Sequence, residues 1–127
     1  MAGWKHFKEI DAWQLSMKFQ KEFVPFLDRP PANRHRKFCE DAIDAVRSPA
    51  LNIAEGFEKY GHTEFAKYAL IAKGSLGETQ TNLITARDRG FIPPDDFERL
   101  WKLSVAAKAA TTGLWRYFER TKKKRRM

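Results

Sequence analysis

The chain has 127 residues, with 24 Lys and Arg against 16 Asp and Glu and a formal charge of +8. That length suits one domain, 1–127, burying a core without disulfide or metal staples. The lone Cys39 excludes an intramolecular disulfide and fits a reducing compartment. No apolar run nears the roughly 18–20 residues of a membrane span, and the first residues lack a signal-peptide core. We expect a soluble, cytoplasmic protein that does not contact membranes.

The charge is uneven. Arg120 to Met127 hold six basic side chains and no acid, leaving 18 basic against 16 acidic residues elsewhere. A nearly neutral body with a basic tail from about residue 120 attracts polyanions through salt-sensitive forces.

Residues 1–8 form a lead-in pinned by Trp4 and Phe7. A first helix begins near Glu9 to Asp11, where acids suit the positive end of the helix dipole. Its main stripe is Ile10, Trp13, Met17, Gln20, Val24 and Leu27, with a second line of Ala12, Phe19, Phe23 and Phe26 beside it. Pro25 bends the last turn and Pro30-Pro31 ends it.

A second helix runs from an Asn33 N-cap to about Lys59, on a core stripe of Cys39, Ile43, Val46, Ala50, Ile53 and Phe57. Pro49 interrupts that stripe and removes the donor for the Ala45 carbonyl. Ser48, Asn52, Glu55 and Lys59 make a separate polar stripe. It is either a solvated face or a buried or intersubunit hydrogen-bond network.

Gly61 and Glu64 start a third helix with a capping-box-like turn, and Gly90 closes it. Phe65, Ala69 or Tyr68, Ala72, Leu76, Leu83 and Ala86 mark its core side. A line of Ala66, Leu70, Gly74, Gly77 and Thr81 is small, and each glycine costs about 1 kcal/mol in a helix interior. A neighbouring backbone pressed close is the expected reason. Asp95 and Glu98 cap a fourth helix with Phe97, Leu100, Ser104, Ala107, Thr111, Leu114 and Phe118 facing inward. Its periodicity fades after Phe118, and the like charges beyond should fray into a disordered tail. Helices of about 18–27 residues on short turns give an all-α, antiparallel up-down four-helix bundle. Apolar or small residues on two sides of helices one and three point to self-association.

Three signatures resemble a known family: Phe7-Lys8-Glu9-Ile10-Asp11-Ala12-Trp13-Gln14, Ser48-Pro49-Ala50-Leu51-Asn52-Ile53-Ala54-Glu55-Gly56-Phe57, and Glu64-Phe65 followed by Ala72-Lys73-Gly74-Ser75-Leu76-Gly77-Glu78. Together with Gly90-Phe91-Ile92, they are similar to four-helix-bundle proteins encoded in intervening sequences of 23S ribosomal RNA genes. The accessory variability proteins of diversity-generating retroelements are relatives of that family. The resemblance implies a bacterial homopentameric barrel with a binding role, no catalysis and no cofactor. The retroelement branch implies a scaffold for RNA and a reverse transcriptase. The ribosomal branch leaves a protein-interaction module with no nucleic-acid role, and the residues do not choose between them. Gln80, where the family often has an acid, Asn82, where it often has glutamine, and Gly77, where alanine is usual, depart from the pattern.

No enzyme is expected. His6, His35 and His62 are far apart, no metal-ligand or phosphate-loop motif occurs, and Cys39 on an apolar stripe reads as core. The candidate nucleic-acid-binding residues are Arg116, Arg120, Lys122, Lys123, Lys124, Arg125 and Arg126. Arg34, Arg36 and Lys37 at the start of helix two are expected to share a rim with the tail. Backbone contacts to RNA or DNA with little sequence preference follow. Ser48, Asn52, Glu55, Gly74, Gly77 and Glu78 are the candidates for a polar seam or oligomer interface.

Overall fold

The computed structural model describes residues 3–59 and 61–126, with side chains through Lys122. Among them are four α-helices, α1 (Asp11–Leu27), α2 (Arg36–Glu58), α3 (His62–Asp88) and α4 (Pro94–Arg126), and no strand. Two short 3-10 turns, Phe7–Glu9 and Ala32–Arg34, precede α1 and α2. Each helix packs on its chain neighbours, and α4 also closes on α1, forming an antiparallel four-helix bundle.

The helix boundaries have local causes. The Glu9 carboxylate accepts from the backbone N–H groups of Lys5 and His6, fixing the lead-in before α1. Asn33 does not cap α2. Its side chain instead donates to the Asp28 carbonyl at 3.2 Å, tying the Ala32–Arg34 turn to the end of α1, and the helix begins at Arg36. Gly61 precedes α3 without a side-chain cap, so the Glu64 box does not form. Pro94 opens α4, ahead of the expected Asp95 cap; its missing N–H costs nothing in a first turn. At the other end of α3, Gly90 has φ +76°. Its N–H reaches the Arg87 carbonyl, and the Phe91 N–H reaches Ala86, the paired bonds of a Schellman motif.

The core consists of two apolar clusters. One joins Phe19, Phe23, Leu27, Val46, Leu83, Phe91 and Leu100. The other joins Ile10, Ile53, Phe65, Ala69, Leu114 and Phe118, with Trp4 leaning on its rim. The core face of α1 is therefore the Ala12, Ser16, Phe19, Phe23, Phe26 line, not the stripe through Trp13, Met17, Gln20 and Val24, which is half-buried. Phenylalanine has no polar atom to satisfy, whereas the Trp13 and Gln20 side chains keep access to water at the bundle edge. Pro49 is buried on the core face of α2, which runs unbroken past it.

Among the described residues, the polar side chains of Ser16, Thr79, Ser104 and Thr111 are also buried. Thr79 and Thr111 donate back to Ser75 and Ala107 one turn earlier, and Ser104 donates to Trp101. Ser16 Oγ has no partner among the described residues.

Candidate nucleic-acid interface and polar seam

α4 is the longest helix, and its last turns pass the start of α3. Phe118 stacks on Phe65 with centroids 4.1 Å apart. One turn on, the Thr121 hydroxyl donates to the Tyr117 carbonyl and meets His62 Nδ1 at 2.6 Å. These contacts explain why the helix does not end with its apolar periodicity. The backbone stays helical through Arg126. Lys122 pairs with Glu119 at 2.9 Å, and Arg116 and Arg120 are exposed. Lys123, Lys124, Arg125 and Arg126 have side chains outside the described residues.

Arg34, Arg36 and Lys37 lie at the opposite end of the bundle. His35 and Phe38 pack against Phe91, and the Arg89 guanidinium lies over the Phe38 ring, so the start of α2 meets the end of α3. The tail instead meets the start of α3. A shared rim is excluded because α2 and α4 run in the same direction, and α2 alone is about 34 Å long at 1.5 Å per residue. Arg36 and Lys37 are also paired with Glu40 and Asp41 one turn on, which reduces the net positive field there.

The polar stripe of α2 divides. Ser48 and Asn52 are half-buried, while Glu55 is exposed and pairs with Lys59 at 3.6 Å. Asn52 Nδ2 donates to both the carbonyl and the hydroxyl of Ser48 at 2.9 Å. The Ser48 hydroxyl lies 2.7 Å from that of Ser75. Ser48 Oγ has two lone pairs and one proton, so it can accept from Asn52 while either hydroxyl of the pair donates to the other. Ser75 stood inside a family signature, but its partner on α2 could not be read from spacing.

Gly74 and Gly77 are not part of this seam. A Cβ on either would meet nothing within 4 Å, so no neighbour within the chain presses on them. With exposed Glu78 they lie on an outer face of α3 beside Leu70 and Ile71, which are 48% and 43% exposed. The close helix approach occurs at Gly56 instead, against Phe65 and Tyr68.

Cys39 is buried, with Sγ 3.1 Å from the Ala32 carbonyl and 3.4 Å from Leu27. Burial, and secondarily the Asp28 charge, push its thiol above its ordinary range. No group of three or more His, Cys, Asp or Glu that could hold a metal ion occurs among the described residues. None of the described helices is long and apolar enough to cross a membrane.

A feature that periodicity alone passes over is the charge pattern of α4. Between Glu98 and Glu119 it carries Arg99, Lys102, Lys108 and Arg116 and no acid. Arg99 is neutralised by Glu22 and Asp96. Lys108 and Arg116 form no ion pair among the described residues, and both line a groove of about 600 Å³ with Trp101, Gln80 and Thr112.

A family model described as 23S rRNA-intervening sequence protein matches residues 8–113. The chain belongs to this family. The match takes in all of α1, α2 and α3 and α4 as far as Gly113, leaving the cation-rich end of α4 outside it. No curated protein matches the chain.

Proposed function

We propose that this 23S rRNA-intervening sequence protein is a non-enzymatic, cytoplasmic, oligomeric scaffold that binds nucleic acid, with α4 and its basic end as the binding element. The observation carrying this reading is the continuity of the cations. Lys108, Arg116 and Arg120 sit on the helix that leads without a break into Lys122, Lys123, Lys124, Arg125 and Arg126. Cations at this density along one stretch of chain suit a phosphodiester polymer more than a point ligand. RNA is the favoured polymer, with a reverse transcriptase as an accompanying protein partner. Self-association, with five copies implied by the family resemblance, uses the outer face of α3, where Leu70, Ile71, Gly74 and Gly77 are open.

A filter-binding titration of single-stranded RNA against salt is the test. Affinity should fall steeply as salt rises. A chain ending at Thr121 should bind more weakly and show a shallower salt slope. Equal binding by the truncated chain would remove the basic end from the function.

A second reading is a protein-interaction module without a nucleic-acid role. The same open apolar face of α3 favours it, since exposed Leu and Ile beside glycines suit a protein surface better than a phosphate. Recovery with a protein partner and no nucleic acid at physiological salt would select it.

A further inference from the structure

We propose that the α4 groove between Trp101 and Arg116 holds a segment of single-stranded nucleic acid, with a base against the Trp101 indole and phosphates on Lys108 and Arg116. This rests on the nucleic-acid reading above and places the specific track on the body of the bundle, ahead of the basic end.

Trp101, Val105, Lys108, Thr112 and Arg116 recur at steps of four, three, four and four and line one groove. The run from Trp101 to Arg116 is about 22 Å long at 1.5 Å per residue, a length suited to a few nucleotides of extended strand. Trp101 is half-buried. It stacks on Phe97, with centroids 5.9 Å apart and planes 21° from parallel, and also lines the groove. An indole already held by the core loses little freedom when a base lies on it.

The hydrogen bonds beside Trp101 fix the nearest cation. Lys108 Nζ donates to Gln80 Oε1 at 3.3 Å. An ammonium has only donors, so the amide oxygen faces Lys108 and the Gln80 NH2 faces Ser104, donating to its hydroxyl at 3.1 Å. The Ser104 proton then goes to the Trp101 carbonyl at 2.7 Å. Gln80 therefore positions Lys108 without neutralising it. A carboxylate in its place would cancel the charge; a neutral amide leaves it for a phosphate. Arg116 is exposed two turns further on, and no acidic side chain among the described residues lines the groove. An aromatic face flanked by unneutralised cations at helical intervals is the combination used for sequence-tolerant single-strand binding.

The experiment uses the full chain and a labelled 20-nucleotide poly-uridine strand, with a duplex of equal length as comparison. The double variant Lys108→Gln/Arg116→Gln should weaken single-strand binding about tenfold, the order for two lost charge-assisted contacts. It should also lower the salt slope by about 1.4. Gln80→Glu, which leaves both cations in place, should weaken binding in the same direction. Photocrosslinking of a 5-iodouridine strand should label the peptide carrying Trp101, and Trp101→Phe, which keeps a ring on Phe97, should reduce that label. Circular dichroism melts establish that each variant is folded. Binding that depends only on the residues after Thr121, with no effect of the double variant and no label at Trp101, would overturn the groove while leaving the nucleic-acid reading intact. Equal affinity for the duplex would overturn the stacking role of Trp101. An absence of binding to either strand at low salt would overturn both proposals. A change of oligomeric state in the double variant, without loss of RNA binding, would make the groove an interface between copies instead.

Discussion

A Cβ placed on Gly56 would lie 2.7 Å from Cδ1 of Phe65. The ring cannot easily withdraw, because its other neighbours are Phe118 at 4.1 Å between centroids and Trp4 at 6.4 Å. A Cβ at Gly56 would also lie 3.0 Å from Cβ of Tyr68, next to the α3 backbone. Overpacking of this kind costs about 1–3 kcal/mol, against up to about 1 kcal/mol regained from helix propensity. Gly56→Ala should therefore lower the thermal midpoint. An unchanged or higher midpoint would show that α2 and α3 part without strain.

Gly74 and Gly77 should respond in the opposite sense. Nothing within the chain opposes a Cβ there, so alanine at either position should stabilise the isolated chain by about 1 kcal/mol. On an oligomer interface the same methyl holds two copies apart. Gly74→Ala and Gly77→Ala should thus raise the melting temperature of dilute protein while lowering the assembled mass seen by light scattering. A parent chain that scatters as a strict monomer would refute the interface.

The Ser48–Ser75 contact should show coupling. Ser48→Ala and Ser75→Ala each remove one half of a half-buried hydroxyl pair in which either side can donate. A double-mutant cycle in urea should return an interaction of about 0.5–1.5 kcal/mol. A cycle that closes to zero would assign both hydroxyls to solvent.

Ser16→Ala should stabilise the fold. Its hydroxyl is buried with no partner among the described residues, and an unsatisfied polar group costs about 1–3 kcal/mol. Alanine fits the same position and removes that cost. A lower urea midpoint for this variant would mean that the hydroxyl is satisfied in solution.

Cys39 supplies a pH dependence. Burial raises its thiol pKa in the folded state, so the folded chain holds this proton more tightly than the unfolded one. The resulting stability is fully present below the unfolded thiol value, about 8.5. It is lost as pH rises from there through the higher folded value. Urea midpoints should fall across that alkaline window in the parent and less so in Cys39→Ala. A thiol reagent at pH 8 should label native protein far more slowly than denatured protein. Equal labelling rates would place the thiol at the surface.

Much of the bundle was legible in the order of residues, because a helix and its turns are local. The Gly90 terminator, the proline-marked connections, and the inward lines of α3 and α4 follow from steric and periodic rules that act within a few residues. Other features depended on which surface faced a partner. α1 carried two adjacent apolar stripes of similar strength, and only contact with α2 and α4 selected the phenylalanine line. Asn33 had the chemistry of a cap, but the chain turned back on Asp28 and used its amide there. The placement of Arg34, Arg36 and Lys37 away from the basic end followed from helix direction, a property of the whole bundle.

The sequence by itself determined that four amphipathic helices would pack around an apolar core, and that positive charge would gather at the end of α4. Hydrophobic periodicity and charge density act along the chain and need no knowledge of distant neighbours. Only the tertiary structure decided that Gly56 is the point of close approach and that Gly74 and Gly77 are open. It also decided that Ser48 meets Ser75 and that Gln80 holds Lys108 beside Trp101. Those relationships join residues 9 to 28 positions apart, and side-chain reach across a helix interface has no counterpart in local spacing.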